Sequence, residues 1–207
     1  MRTLTKEKLA LLKPDEALET LKKGNERFIN NLKIHRDLLE QVNQTSDSQY
    51  PFAFILSCMD SRTSSELIFD QGLGDLLNCR VAGNVLNKDI LGSMEFAVQV
   101  IGVKVILVMG HSKCGAIKGA CDDLQLGYLT RLFDRIKPSI EEEVTVMENR
   151  NSSNEEFVEK VARLHVLHVF RQVVRMSPII EEAVKNNQVK LVAGMYDVET
   201  GKVDFYE

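Results

Sequence analysis

Two nearly unbroken apolar runs constrain this chain more than any other feature. One is Phe52-Ala53-Phe54-Ile55-Leu56-Ser57 and the other is Val103-Lys104-Val105-Ile106-Leu107-Val108-Met109. Neither alternates polar with apolar, as a half-solvated strand would. Runs of this kind suit parallel strands covered on both faces. Each stops abruptly at residues with ligand and acid/base chemistry. Cys58-Met59-Asp60-Ser61-Arg62 follows the first, and Gly110-His111-Ser112-Lys113-Cys114-Gly115 follows the second.

The rest of the chain reads as helices set between such strands. Leu4 to Leu12 is helix-compatible, and Pro14 to Leu32 predicts a helix with Ala17, Leu18, Leu21, Asn25 and Phe28 near one face. Asn43 to Tyr50 reads as a polar loop before the first strand. A short helix is expected over Thr63 to Phe69, with Glu66 and Asp70 facing out, then a second strand over Leu76 to Val81. Helices are predicted over Asp89 to Ile101, after Cys114, over Tyr128 to Ile136 with a stop near Pro138, over Glu155 to Met176, and from Pro178 to Asn186. A fourth strand, Val189 to Tyr196, turns at Gly201 into a short edge strand, Val203 to Tyr206. Strands alternating with helices predict an α/β fold with a mainly parallel central sheet flanked by helices. One domain over 1–207 is expected, with an N-terminal helical arm (1–45) and an α/β body (46–207). The arm packs on the body or on another subunit.

Composition narrows the function classes. The net charge of −4 argues against a nucleic-acid surface. No run of about 18 apolar residues predicts a membrane span. The N-terminus has no apolar stretch of signal-peptide length, so a cytoplasmic location is the expectation. Four cysteines in 207 residues are too sparse for a disulfide scaffold and point to buried thiols, ligands or nucleophiles.

In open parallel sheets, sites form outside the carboxyl ends of strands. Cys58 and His111, far apart in sequence, both fall at such ends. Cys58, His111 and Cys114 offer two thiolates and an imidazole, and three protein ligands leave a catalytic zinc its open position. Cys79 or Cys121 would be needed to close a structural site instead. Asp60 lies within reach of Arg62, which keeps its carboxylate ionised. It can orient a water beside the metal, ligate the metal itself, or form only a loop salt bridge. His165 falls on the apolar face of a long helix and is expected to be packed in the core or an interface.

Cys58-Met59-Asp60-Ser61-Arg62, then Arg80-Val81-Ala82-Gly83-Asn84, then His111-Ser112-Lys113-Cys114-Gly115 resembles the β-class carbonic anhydrases. The likeness runs from Asn25-Glu26-Arg27-Phe28 to the closing Thr200-Gly201 segment. It implies reversible hydration of carbon dioxide to bicarbonate and a proton by zinc-bound hydroxide. It implies one zinc per subunit on Cys58, His111 and Cys114, with Asp60 and Arg62 as a dyad. It also implies a homodimer as the basic unit, with a tetramer as a further assembly. Gln49, nine residues before Cys58, matches a glutamine that reaches into the partner's site. Leu77, Ala82 and Gly115 are the expected remaining lining of the substrate pocket. Three positions depart from the family pattern. Ile55 stands where the bicarbonate-regulated subgroup has Trp, Leu77 where a Phe is usual, and Val81 where an Asn is common. Without the Trp, an open site with water on the metal is expected. Two other readings compete: hydrolysis of a related heterocumulene such as carbon disulfide, and a zinc-dependent redox sensor using Cys79 and Cys121.

Overall fold

The computed structural model describes residues 3–206; residues 1, 2 and 207, which the expected domain limits include, lie outside the described residues. Ten α-helices and five strands are described: α1 (Lys6–Leu11), α2 (Pro14–Ile29), α3 (Leu38–Thr45), β1 (Ala53–Ser57), α4 (Ser65–Ile68), β2 (Leu76–Arg80), α5 (Lys88–Phe96), β3 (Val105–His111), α6 (Gly115–Cys121), α7 (Gly127–Phe133), α8 (Lys137–Glu142), α9 (Glu155–Met176), α10 (Pro178–Lys185), β4 (Lys190–Tyr196) and β5 (Val203–Tyr206). The strands form one sheet in the order β2-β1-β3-β4-β5. All pairings are parallel except β4 with β5. The α/β, mainly parallel architecture is therefore as expected.

Every residue of β1 and β3 is buried, which explains their continuous apolar character. Alternate side chains feed two cores. Phe54, Leu56, Ile106 and Val108 pack with α5, α9 and α10 on one face. Ala53, Ile55, Val105, Leu107 and Met109 pack on the other, against Leu9 of α1, Ala17, Leu18 and Leu21 of α2, and Ile68 of α4. Burying each large apolar side chain contributes about 1.5–3 kcal/mol relative to leaving it exposed. The chain steps from β1 outward to β2, then returns to place β3 on the other side of β1. That reversal opens a crevice at the carboxyl ends of β1 and β3, where ligands bind in such sheets.

Helix α2 rests on its own body. The buried Asn25 donates to the carbonyls of Ile68 (3.2 Å) and Gly201 (2.9 Å) and accepts from the Val203 N–H (2.8 Å). This amide joins the first long helix to the last hairpin.

Several local expectations are corrected. Residues 43–45 belong to α3, which starts at an Asp37 cap and was hidden because Leu38, Leu39 and Val42 stay largely exposed. Asp70 does not face out: it is buried, held by Arg27 (2.6 Å) and Arg36 (2.5 Å). Pro138 does not stop a helix but sits in the first turn of α8, where its missing N–H costs nothing. Strand β3 runs two residues further than expected, so His111 is its last residue. The helix begun at Lys88 widens into a π-helical turn over Ala97–Ile101 and ends at Gly102 with φ 82°.

Candidate metal centre

The register brings the predicted ligands together. Ser57 pairs with Met109, so Cys58 leaves β1 beside the end of β3 that carries His111. Adjacent strands lie about 4.8 Å apart. Gly110, one residue earlier, has no room for a side chain. A Cβ there would stand 2.3 Å from Val166 Cγ2 and 3.1 Å from Met195 Sδ. Glycine thus lets α9 close on β3 behind the ligand. Cys114 caps the start of α6, three residues beyond His111.

The ligand atoms of Cys58, His111 and Cys114 all lie within 4.8 Å of one another, and all three residues are buried. The two sulfurs are 4.0 Å apart. Two zinc–sulfur bonds of 2.3 Å at a tetrahedral angle separate their sulfurs by about 3.8 Å. The imidazole is oriented by its other nitrogen. Nδ1 lies 2.9 Å from the Ser112 carbonyl, which can only accept, so Nδ1 carries the proton. That leaves Nε2 with a bare lone pair, and among the described residues it is one of four buried side-chain polar atoms without a hydrogen-bond partner. A buried, orphaned imidazole nitrogen facing two thiols is the donor arrangement of a metal site, and this set suits zinc.

The thiols themselves are polarised. A hydrogen bond from Cys114, joined by the backbone at Asp60 and Gly83, outweighs burial and pushes Cys58 well below an ordinary thiol pKa. Cys114 is pushed up, because it shares its proton with the Cys58 thiolate and is buried. A metal held by Cys58 and Cys114 would require both as thiolates, so its uptake would release that proton.

Asp60 and Arg62 adjoin the cluster. Arg62 holds both carboxylate oxygens, Nε to Oδ1 at 2.9 Å and a terminal nitrogen to Oδ2 at 2.8 Å, and its backbone N–H adds a third bond at 3.0 Å. These bonds, led by the Arg62 side chain, outweigh burial and keep Asp60 far below the usual carboxylate range. Asp60 Oδ2 is 4.0 Å from His111 Nε2. The loop carrying the dyad is fixed by two residues to which the sequence reading assigned no role. Thr63 Oγ1 lies within hydrogen-bond distance of the carbonyls of Cys58 (2.8 Å) and Asp60 (2.9 Å). Arg80 donates to the same two carbonyls, at 3.3 and 2.5 Å. Arg80 was visible in its motif; its target was not, because Ser57 and Arg80 become neighbours only through the β1–β2 register.

The remaining expected lining residues are not gathered equally. Ala82 lies in the 3-10 turn after β2, beside Gly83, whose N–H points at Cys58 Sγ (3.4 Å). Gly115 opens α6 next to Cys114, and a Cβ there would meet open space. Leu77, however, pairs with Phe54, four residues short of Cys58, or about 13 Å along the strands. Gln49 precedes β1 and lines a cleft with Leu73 and Gly74 ahead of β2, at the end of the sheet opposite the ligands, and β1 alone spans about 16 Å. The chain's own fold brings neither Leu77 nor Gln49 to its own centre. Cys79 and Cys121 do not join it either. Burial raises both thiols, Cys121 to about 11, which makes them poor nucleophiles.

The family model for carbonic anhydrase matches residues 53–203. Carbonic anhydrase 2 of Mycobacterium tuberculosis (strain H37Rv) is 32% identical over 195 residues, covering 91% of both chains. The carbonic anhydrase of Mycolicibacterium smegmatis is 32% identical over 197 residues, covering 92% of both. Among solved structures, the β-carbonic anhydrase CcaA superposes with a TM-score of 0.71 at 26% identity, covering 93% of this chain and 94% of that one. A Coccomyxa β-carbonic anhydrase in complex with acetazolamide shares the fold, with a TM-score of 0.70 at 22% identity over 90% of this chain and 85% of that one. Fold, buried Cys-His-Cys cluster and relatives agree: the chain belongs to the β-carbonic anhydrase family, enzymes whose general reaction is the hydration of carbon dioxide.

Proposed function

We propose that this enzyme interconverts carbon dioxide and bicarbonate at a zinc ion held by Cys58, His111 and Cys114. The observation that carries this reading is the orphaned His111 Nε2 facing two buried thiols, with the Asp60 carboxylate 4.0 Å away. When bound, the zinc supplies Lewis acidity, the means by which water becomes a nucleophile near neutral pH. Ser112 keeps the His111 tautomer that leaves Nε2 free for the metal. Asp60, ionised throughout the physiological range, accepts a proton-side hydrogen bond from water and aims its lone pair at the carbon of the substrate. Arg62 occupies both carboxylate oxygens, which holds Asp60 beside the metal position rather than in it. Ala82 and Gly115 leave space for a small, weakly polar substrate. Ile55 is fully buried in the core, where it supplies no polar group for a regulatory bicarbonate.

In this reading the working unit contains two copies of the chain. Gln49 and Leu77 sit too far from their own centre to serve it, so each serves the partner's. No helix among the described residues is long and apolar enough to cross a membrane.

Stopped-flow carbon dioxide hydration, zinc analysis and sedimentation on one preparation test the whole reading. The expected result is about one zinc per chain, hydration that is lost in Cys58→Ser and His111→Ala, and a species no smaller than a dimer. Full hydration activity in a zinc-free variant would overturn the metal assignment. Carbon disulfide hydrolysis without carbon dioxide hydration would overturn the substrate.

A further inference from the structure

One buried polar group has no place in the mechanism above. His165 lies midway along α9, 1% exposed, on a face otherwise made of Val158, Val161, Ala162, Val166 and Val169. An imidazole in such a stripe costs free energy unless both its nitrogens are satisfied. They are satisfied in a fixed direction. Nε2 lies 2.8 Å from the Gly83 carbonyl, an acceptor, so Nε2 carries the proton. Nδ1 then accepts from the Ser139 hydroxyl, 3.3 Å away and fully buried on α8.

Gly83 is the residue whose N–H meets Cys58 Sγ. It sits in the left-handed region at φ 64°, and the next residue, Asn84, is also left-handed at φ 42°. Two successive left-handed residues, one of them not glycine, persist only where the surroundings over-determine them. The Ser139–His165 pair is the buried polar support on the carbonyl side of that turn, and the sulfur is on its amide side.

We propose that His165 is a positioning residue for the metal centre: by holding the Gly83 carbonyl, it keeps the Gly83 N–H on the Cys58 sulfur. An N–H···S bond withdraws electron density from a thiolate. Two thiolate ligands blunt the Lewis acidity of a metal, and this bond restores part of it. His165 thereby sets both metal affinity and the electronic character of the Cys58 ligand, acting through a backbone turn without touching the metal or substrate. The inference rests on the zinc reading of the centre.

The test uses full-length wild type, His165→Gln, His165→Asn and His165→Leu. Gln carries an amide donor near the position of Nε2; Asn is shorter and does not reach Gly83; Leu preserves volume without polarity. Zinc affinity is measured by chelator competition, and the cadmium-113-loaded proteins are examined by NMR for scalar coupling between the metal and the Gly83 amide proton. Wild type and His165→Gln should show the coupling and similar affinities. His165→Asn and His165→Leu should lose the coupling and bind zinc about tenfold or more weakly, as for other residues that orient metal ligands. His165→Leu with wild-type affinity and coupling overturns the proposal. If the variants do not fold, the nitrogen-15 spectrum of wild-type His165 decides: an Nε2-protonated ring supports the role, and an Nδ1-protonated ring overturns it. Wild type that takes up neither zinc nor cadmium sinks the metal reading itself, a failure distinct from metal-loaded variants that behave alike.

Discussion

Asp60 and Arg62 are locked face to face, two side-chain bonds of 2.9 and 2.8 Å joining a planar carboxylate to a planar guanidinium. A bidentate pair of this kind fixes orientation as well as charge. Asp60 therefore has one presentation towards the His111 side of the site, with Oδ2 4.0 Å from Nε2.

Removing the clamp should uncouple metal binding from turnover. In Arg62→Ala the Asp60 carboxylate loses its orientation while Cys58, His111 and Cys114 keep theirs. The expected outcome is a fall in hydration rate of about 10- to 100-fold at unchanged zinc content. Stopped-flow kinetics beside metal analysis checks it, and loss of zinc in parallel with rate would refute the separation.

Gly110→Ala should destabilise the fold chiefly through its clash with Val166. The added methyl would meet Val166 Cγ2 at 2.3 Å, and Val166 is a stiff β-branched side chain. Overpacking of this sort costs about 1–3 kcal/mol. Urea unfolding measures it, and Val166→Ala in the same chain should recover part of the loss. Wild-type stability in Gly110→Ala would show that α9 is not packed tightly on β3.

Asp70→Asn should cost about 3 kcal/mol, because it leaves the nearly buried Arg36 guanidinium without its counter-charge. Burial alone would raise the Asp70 pKa, but the hydrogen bonds from Arg27 and Arg36 lower it overall. A depressed folded pKa means a contribution that is complete above the unfolded value of about 3.9 and lost as pH falls through the folded one. The gap between wild type and Asp70→Asn, read from urea curves, should narrow on acidification below about pH 4. A gap that stays constant to pH 3 would contradict this.

His165 predicts a second pH dependence in a different window. Desolvation lowers its pKa from 6.5 to about 4 in the fold. Below pH 6.5 the unfolded chain takes up a proton that the folded chain refuses, so stability falls as pH drops from 6.5 towards 4. The limiting loss is about 3 kcal/mol at 1.36 kcal/mol per pH unit. His165→Gln removes this slope between pH 6.5 and 4. Equal slopes in both proteins, measured by urea unfolding across that range, would show that the imidazole is not held neutral.

The class of fold and the chemistry of the ligand loops are legible in the order of residues alone. Nearly unbroken apolar runs such as 103–109 leave little choice but a strand buried on both faces, and the Cys58 and His111-Cys114 clusters lie where those runs end. Local spacing also placed Asp60 beside Arg62, because a loop two residues long offers few other partners. The rest depends on contacts between residues remote in sequence. The order β2-β1-β3 put two strand ends side by side. Asp70 reads as a surface acid until two arginines from the N-terminal segment close on it. His165 reads as a core residue until α8 and the turn after β2 supply Ser139 and Gly83. Helical periodicity reports which face is buried, but a hydrogen bond between residues 82 positions apart depends on how whole elements pack, and no local pattern carries that information.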